Sequence, residues 1–331
     1  MENGENSKAM LTVADLTQLY DDKFSGIRLH DDHDQIYEAV YHFMTNEGKR
    51  IRPLLLLCAC EMFNGDLKNA MNPAFAIQMF HNFTLIHDDI MDEAELRRGI
   101  KTVHEIYGKN KAIITGDIVL IIAYKYLAKT DEKNLSALFS LFNKTATQII
   151  EGQQMDMQFE SRLDVNEAEY LTMIEYKTSV LLAASLGMGA LIANTSIKNR
   201  ELIYEFGRNL GLAFQLKDDL FDAFSSGSKF GKKIGGDILQ NKKTFLLIRA
   251  LNKADEAKKE MIINLLNCKD PDEKISAMVR IYKELEVDKD IELLMGKYYS
   301  AALKSLDRIN LESERKQPLL DLASRIYNRD Y

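Results

Sequence analysis

Apolar residues recur at spacings of three and four along most of the chain, and only four prolines (Pro53, Pro73, Pro271 and Pro318) interrupt them. A helix turns once every ~3.6 residues, so this spacing gathers apolar side chains on one face. The stretches "IYEAVYHFM" from Ile36, "PAFAIQMFHNFTLIHDDIMD" from Pro73, "AIITGDIVLIIAYKYLA" from Ala112 and "EYLTMIEYKTSVLLAASLGMGALIA" from Glu169 all carry it. Several are apolar around most of their circumference, as helices at the centre of a large bundle must be. Strand-type alternation between hairpin turns is hard to find, and no period suggests a solenoid. The expected fold class is all-α.

With 331 residues, 46% of them apolar, such a bundle can bury a sizeable core. The expectation is a single domain over residues 1–331. A C-terminal helical lobe should begin at about residue 270, after the break "NCKDPDEK", and pack on the same core. "SSGSKFGKKIGGD", from Ser225 to Asp237, reads as a loop between helices. A net charge of −7 with no long basic stripe argues against a nucleic-acid surface, so any phosphate site must be local. Cys58 and Cys60 sit inside the apolar run "PLLLLCAC", and three cysteines form neither a disulfide framework nor a zinc pattern. The polar, acidic opening "MENGENSKAM" lacks the segments of a signal peptide, and no transmembrane run is present. A cytoplasmic protein is expected.

"HDDIMDEAELRRG" places Asp88 and Asp92 four residues apart, so a helix stacks them about 5–6 Å apart at Cβ. Like charges at that spacing repel unless a cation lies between them. Magnesium suits, because it takes one or two carboxylates and completes its shell with water and phosphate oxygens. The pattern returns as "DDLFD", with Asp218, Asp219 and Asp222 at the end of another apolar helix. Either motif alone could be a solvated helix end. "DDKF" at Asp21 and "DDHD" at Asp31 lack the fourth-position carboxylate and read as surface or capping acids.

Basic residues flank these acids. "GKRIRP" holds Lys49, Arg50 and Arg52 just before a helix, where N–H groups and guanidinium forks can grip a diphosphate. Arg97 and Arg98 follow Asp92 by one to two turns if the helix continues, and Gly99 offers a stop. Lys177 and Thr178 lie in an otherwise apolar helix, where a lysine needs a partner or water. Lys232 and Lys242 could close over bound phosphate. No nucleotide P-loop or dinucleotide fingerprint is present.

In order along the chain, "GKRIRP", "HDDIMDEAELRRG", "TVH", "TGD", "EGQQMDM", "KT", "FQLKDDLFD", "GKKIGGD" and "NKKT" resemble the trans-isoprenyl diphosphate synthases, or polyprenyl synthetases, from about Gly48 to Thr244. The resemblance implies an isoprenoid-synthase-type helical bundle around a deep central cavity, usually homodimeric. It implies condensation of isopentenyl diphosphate with an allylic diphosphate such as dimethylallyl, geranyl or farnesyl diphosphate. By the same resemblance Asp88, Asp92 and Asp218 bind about three magnesium ions, with Asp89, Asp156, Asp219 and Asp222 as supporting acids and Gln153 near the metals. Arg97, Lys177, Lys232 and Lys242 match ligands of the allylic diphosphate. Lys49, Arg52, His81 and Arg98 match the isopentenyl diphosphate site, and Thr178 and Gln215 would face the reacting carbons. His81 precedes Asp88 by seven residues, two turns back on one face.

Phe83 and Phe80 precede Asp88 on the expected tail side and would floor the cavity, giving a geranylgeranyl-length product with farnesyl second. They could equally be plain core, and longer chains remain an alternative. Asn241 stands where the family often has glycine, and asparagine tolerates the left-handed backbone. The tail "RIYNRDY" is less basic than in some relatives, so its closure over substrate is not carried across. The rival readings are a class I terpene cyclase, which would have no use for an isopentenyl diphosphate site, and a non-catalytic subunit of a two-component enzyme.

Overall fold

The structure, a computed structural model, describes residues 10–29, 35–45, 48–224 and 235–328. It opens with α1 (Val13–Phe24), α2 (Gln35–Thr45), α3 (Ile51–Met62) and α4 (Leu67–Met91). A two-residue antiparallel ribbon follows, β1 (Leu96–Arg97) with β2 (Ile100–Lys101), pairing Arg97 with Ile100. Next come α5 (Val103–Tyr107), α6 (Lys109–Leu127), α7 (Glu132–Glu160) and α8 (Glu167–Ile174). A π-helical turn, Glu175–Ser179, joins α8 to α9 (Val180–Ile192), and α10 (Ile197–Phe224) follows. The rest is α11 (Gly236–Leu239), α12 (Phe245–Lys253), α13 (Glu256–Leu266), α14 (Pro271–Glu284), α15 (Val287–Asp307) and α16 (Ser313–Tyr327). The described chain is all-α apart from that ribbon.

Local sequence sets several helix starts. Thr12 with Asp15, and Asn166 with Glu169, form capping boxes. Asp270 caps α14 ahead of Pro271, whose missing N–H costs nothing at that position. At the centre, every residue of α9 except Leu191 is buried, as is the run Pro53–Cys60 of α3. Each buried leucine there contributes roughly 2 kcal/mol. Cys58 and Cys60 belong to this run, and burial pushes both thiols up to about 12.

Two apolar cores form. The larger joins α1, α3, α4, α6, α7, α9 and the first half of α10, and the last helix, α16, returns to it. The smaller gathers α8, the second half of α10 and α12 through α15. The long helices α10 and α15 pack together and run through both cores.

One expectation fails. The helix carrying the first aspartate motif does not continue to Arg98; it stops at Met91. Glu93 takes left-handed backbone (φ 49°) and the Ala94 N–H donates to the Asp89 carbonyl at 3.0 Å, a Schellman stop. Arg98 and Gly99, with φ of 52° and 80°, then form the hairpin turn between β1 and β2. Gly99 is therefore a turn residue, not a helix terminator.

Candidate active site

Asp88 is in the last turn of α4, and Asp92 caps it through a 2.8 Å bond from its N–H to the Asp88 carbonyl. Burial pushes the Asp88 carboxyl above its usual range, and Asp92 and Asp89 add to this against the pull of Lys177 and Arg97. Asp89, only 2% exposed, points elsewhere. Its two oxygens each accept from Arg97 Nε at 2.8 Å, and Arg97 Nη2 lies 2.7 Å from Oδ1. Successive helical side chains diverge by roughly 100°, so Asp89 holds the arginine while Asp88 and Asp92 share the other face.

The second motif ends α10. Asp219 is buried, and burial with the nearby Asp237 pushes its carboxyl up to about 8, although Tyr170 and Gln215 both donate to it. Gln215 Nε2 lies 3.2 Å from Asp219, and its Oε1 accepts from Thr178 Oγ1 at 3.0 Å. Asp222 accepts from the Asp237 N–H at 2.9 Å, which anchors α11 to the end of α10. Asp218 lies within electrostatic reach of Arg52.

Cations bridge the two motifs. Lys177 Nζ pairs with Asp156 on α7 at 2.6 Å. Burial opposes its charge, but Asp156 and Asp88 outweigh burial and hold its pKa above the ordinary lysine value. Lys242 Nζ stands 3.9 Å from Asp92 and 3.9 Å from Asp237. Burial opposes its charge too, and Asp92, Asp237, Asp156 and Asp222 together raise its pKa. These links bring both ends of the two motifs into one acid-rich mouth.

A different environment lies beside it. Arg52 Nη1 donates to His81 Nε2 at 2.9 Å, so the imidazole is neutral with its proton on Nδ1. Burial lowers the His81 pKa well below 6.5, and Arg52, Arg98 and Arg97 lower it further. Burial and Arg98 push Arg52 down to about 10 against the pull of Asp218. The Arg98 guanidinium lies over Gly48, where an added Cβ would sit 2.5 Å from its Cζ. Arg52, His81 and Arg98 thus form one basic pocket, with Lys49 next to Gly48 in the chain.

Phe83 and Phe80 are both buried, with ring centroids 5.7 Å apart. The stack extends from His87, 4.8 Å from Phe83, to Phe142, 5.2 Å from Phe80, and on to Tyr124, 5.1 Å from Phe142. The ring stack thus runs from α4 onto α7 and α6. Gln153 Nε2 lies 3.5 Å from Met91 Sδ. Lys232 lies outside the described residues, as do the acids of "DDHD". Asp21, read as a surface or capping acid, instead forms an ion pair with Arg50 at the left-handed start of α3.

Sequence reasoning missed Tyr170 and Asp237. Tyr170 looked like one more apolar-face residue of "EYLTMI", with nothing local to show its hydroxyl meeting Asp219. Asp237 closes the quoted "GKKIGGD", and the acid at its end was the available signal. The donor set at the mouth is all carboxylate oxygen, with acids pressing on one another, and that suits a hard divalent cation. Among the described residues no three carboxylate, histidine or cysteine side chains gather closely enough to hold a cation alone. A cation there would take its remaining ligands from phosphate oxygens and water.

The polyprenyl synthetase family model matches residues 33–285. A geranylgeranyl diphosphate synthase of Sulfolobus acidocaldarius is 38% identical over 85% of this chain and 86% of its own. A short chain isoprenyl diphosphate synthase of Methanocaldococcus jannaschii is 39% identical over 76% of this chain and 78% of its own. A crystal structure of a geranylgeranyl pyrophosphate synthase superimposes with a TM-score of 0.92 at 39% identity, covering 97% of this chain and all of that one. With the helical architecture, both aspartate motifs and the basic pocket in place, this chain belongs to the polyprenyl synthetase family.

Proposed function

We propose that the chain is a short-chain trans-prenyltransferase that joins isopentenyl diphosphate head-to-tail to an allylic diphosphate and releases pyrophosphate. Its favoured product is of geranylgeranyl length, with farnesyl second. The observation that carries this reading is the pair of adjoining anion environments. One is the acid-rich mouth crossed by Lys177 and Lys242; the other is the Arg52–His81–Arg98 pocket. A cyclase acting on one diphosphate would need only the first. The named relatives support the same reaction class.

Asp88, Asp92 and Asp218 would hold magnesium, which when bound neutralises charge developing on the leaving diphosphate. Arg97, held by Asp89, would grip the allylic diphosphate with Lys177, Lys242 and Lys232. Fixed cations of this kind stabilise the leaving group more than the bound substrate, which is what accelerates the step. Loss of that group leaves an allylic cation, toward which the Thr178 and Gln215 oxygens present dipoles without attacking. Arg52, Arg98, Lys49 and neutral His81 would hold isopentenyl diphosphate so that its double bond attacks the cation. The tertiary cation so formed would lose a proton to the departing pyrophosphate, which restores a double bond in the lengthened chain. Phe83, backed by Phe80 and Phe142, would stop the growing tail.

The assembly we propose is a homodimer through α6 and α7, where Ile114 and Ile121 are 53% and 59% exposed, one heptad apart, and Ile150 is also exposed. No helix among the described residues is long and apolar enough to cross a membrane.

The test is to incubate purified protein with magnesium, isopentenyl diphosphate and dimethylallyl, geranyl or farnesyl diphosphate, and to size the products. Geranylgeranyl diphosphate should accumulate, and Phe83→Ala should lengthen it by at least one unit. Turnover of an allylic diphosphate without isopentenyl diphosphate would instead identify a cyclase. Wild-type products of much longer chain would remove Phe83 as the floor.

A further inference from the structure

Asn241 and Lys274 touch none of the groups assigned above, yet both are built into the base of the segment that delivers Lys242. That segment is short. Helix α11 has only four residues, and its continuation is tied by single bonds, Asn241 N–H to the Ile238 carbonyl at 3.2 Å and Lys242 N–H to the Asp237 carbonyl at 2.9 Å. One helical turn does not hold itself in water, so its placement comes from what it is fastened to.

The fastening is specific. Asn241 adopts left-handed backbone, with φ of 55°. Its side-chain Nδ2 donates to the Leu266 carbonyl at 3.1 Å, at the end of α13, and its Oδ1 accepts from Lys274 Nζ at 2.7 Å. Lys274 is only 4% exposed. Its ammonium also donates to the Leu239 carbonyl at 3.3 Å and the Leu266 carbonyl at 3.2 Å. Three donors meet three neutral oxygens, and burial lowers this lysine's pKa. From the other side, buried Lys243 donates to the Asn241 carbonyl at 3.0 Å and to the Glu160 carbonyl at 3.1 Å, at the end of α7. A glycine at position 241 could adopt the same backbone but would make neither side-chain bond.

The next residue is Lys242, whose Nζ lies equally far from Asp92 and Asp237. A lysine has four rotatable bonds, so its reach is set by where its Cα is anchored. We propose that Asn241 and Lys274 form a clasp that positions Lys242 over the acid-rich mouth and thereby sets affinity for the allylic diphosphate. The clasp works through Lys242 and touches no substrate, so both are positioning residues. This inference rests on reading Lys242 as a ligand of that diphosphate.

The experiment compares the full-length wild type with Asn241→Gly, Lys274→Met and Lys242→Gln, and combines each clasp change with Lys242→Gln. KM is measured separately for the allylic diphosphate and for isopentenyl diphosphate, alongside the melting temperature. Each clasp variant should raise the allylic KM about fivefold, since only part of the lost hydrogen bonding is felt at Lys242, and leave the isopentenyl KM within about twofold. In the Lys242→Gln background neither clasp change should raise the allylic KM further. An unchanged allylic KM, an equal rise in both KM values, or a rise that persists in that background overturns the clasp. If Lys242→Gln alone leaves the allylic KM unchanged, Lys242 is not a diphosphate ligand and the clasp proposal falls with it. Should Lys274→Met fail to fold, Asn241→Gly decides the question alone, because glycine keeps the backbone.

Discussion

His81 shows how one residue's chemistry depends on partners far away in the sequence. On an apolar helix it could pass for core, and only its two-turn offset from Asp88 points to a site. The structure supplies the rest, because Arg52 can only donate, so His81 Nε2 must accept and the ring is neutral. A folded-state pKa well below 6.5 means that the unfolded chain takes up a proton at this residue sooner as the pH falls. The stability contributed by neutral His81 is therefore present above pH 6.5 and lost as the pH drops toward its folded value. Melting temperature should fall from about pH 7 to about pH 5, and the fall should be shallower in His81→Gln. Identical slopes for the two proteins would show that His81 does not couple folding to protons here. Asp89 is the converse case. Its identity as an acid in the motif was legible, but its pairing with Arg97 was not, because that pairing depends on where α4 stops.

Among the elements, long α-helices were legible because their signal is local and repeated. The π-helical turn Glu175–Ser179 was not, since "EYKTS" carries no unusual propensity. Its cause is tertiary. An added Cβ on Gly152 of α7 would sit 2.4 Å from the Lys177 nitrogen, and one on Gly211 of α10 would sit 2.5 Å from the Ser179 Cα. Two glycines thus make room for a widened turn, from which adjacent residues reach different targets, Lys177 toward Asp156 and Thr178 toward Gln215. Gly211→Ala must displace backbone, and should lower stability by about 2 kcal/mol and kcat by about tenfold as Thr178 moves. Gly187→Ala on α9 is the control, because its nearest neighbour is the flexible end of Leu141 at 3.2 Å. Thermal melts and steady-state rates on both variants check this, and equal small losses would mean the turn does not need the glycine. The hairpin after α4 escaped for a similar reason. Its helix stop uses left-handed Glu93, a residue type that does not announce a stop.

At the scale of the whole molecule, all-α architecture followed from periodicity, whereas the meeting of two aspartate motifs from α4 and α10 is a product of topology that no local pattern contains. The site also has a rear wall. His87, next to Asp88, lies 3.1 Å from the Ile113 carbonyl and 3.9 Å from Asp117, so α6 directly backs the end of α4. The adjoining exposed face of α6, on which Asp117 lies between them, carries Ile114 and Ile121, and α7 carries exposed Ile150. A second copy seated on that face would stiffen α6, and through His87 the first aspartate motif. Ile114→Glu combined with Ile121→Glu removes two buried isoleucines from such an interface, a loss of at least about 3 kcal/mol, or roughly a hundredfold in dimer Kd. Sedimentation should show the wild type as a dimer at micromolar concentration and the double variant as a folded monomer. Activity per chain should fall with dissociation, since neither isoleucine faces the substrate. A wild type that sediments as a monomer would remove the dimer, and a monomeric variant with full activity would show that α6 needs no partner to hold Asp88 in place.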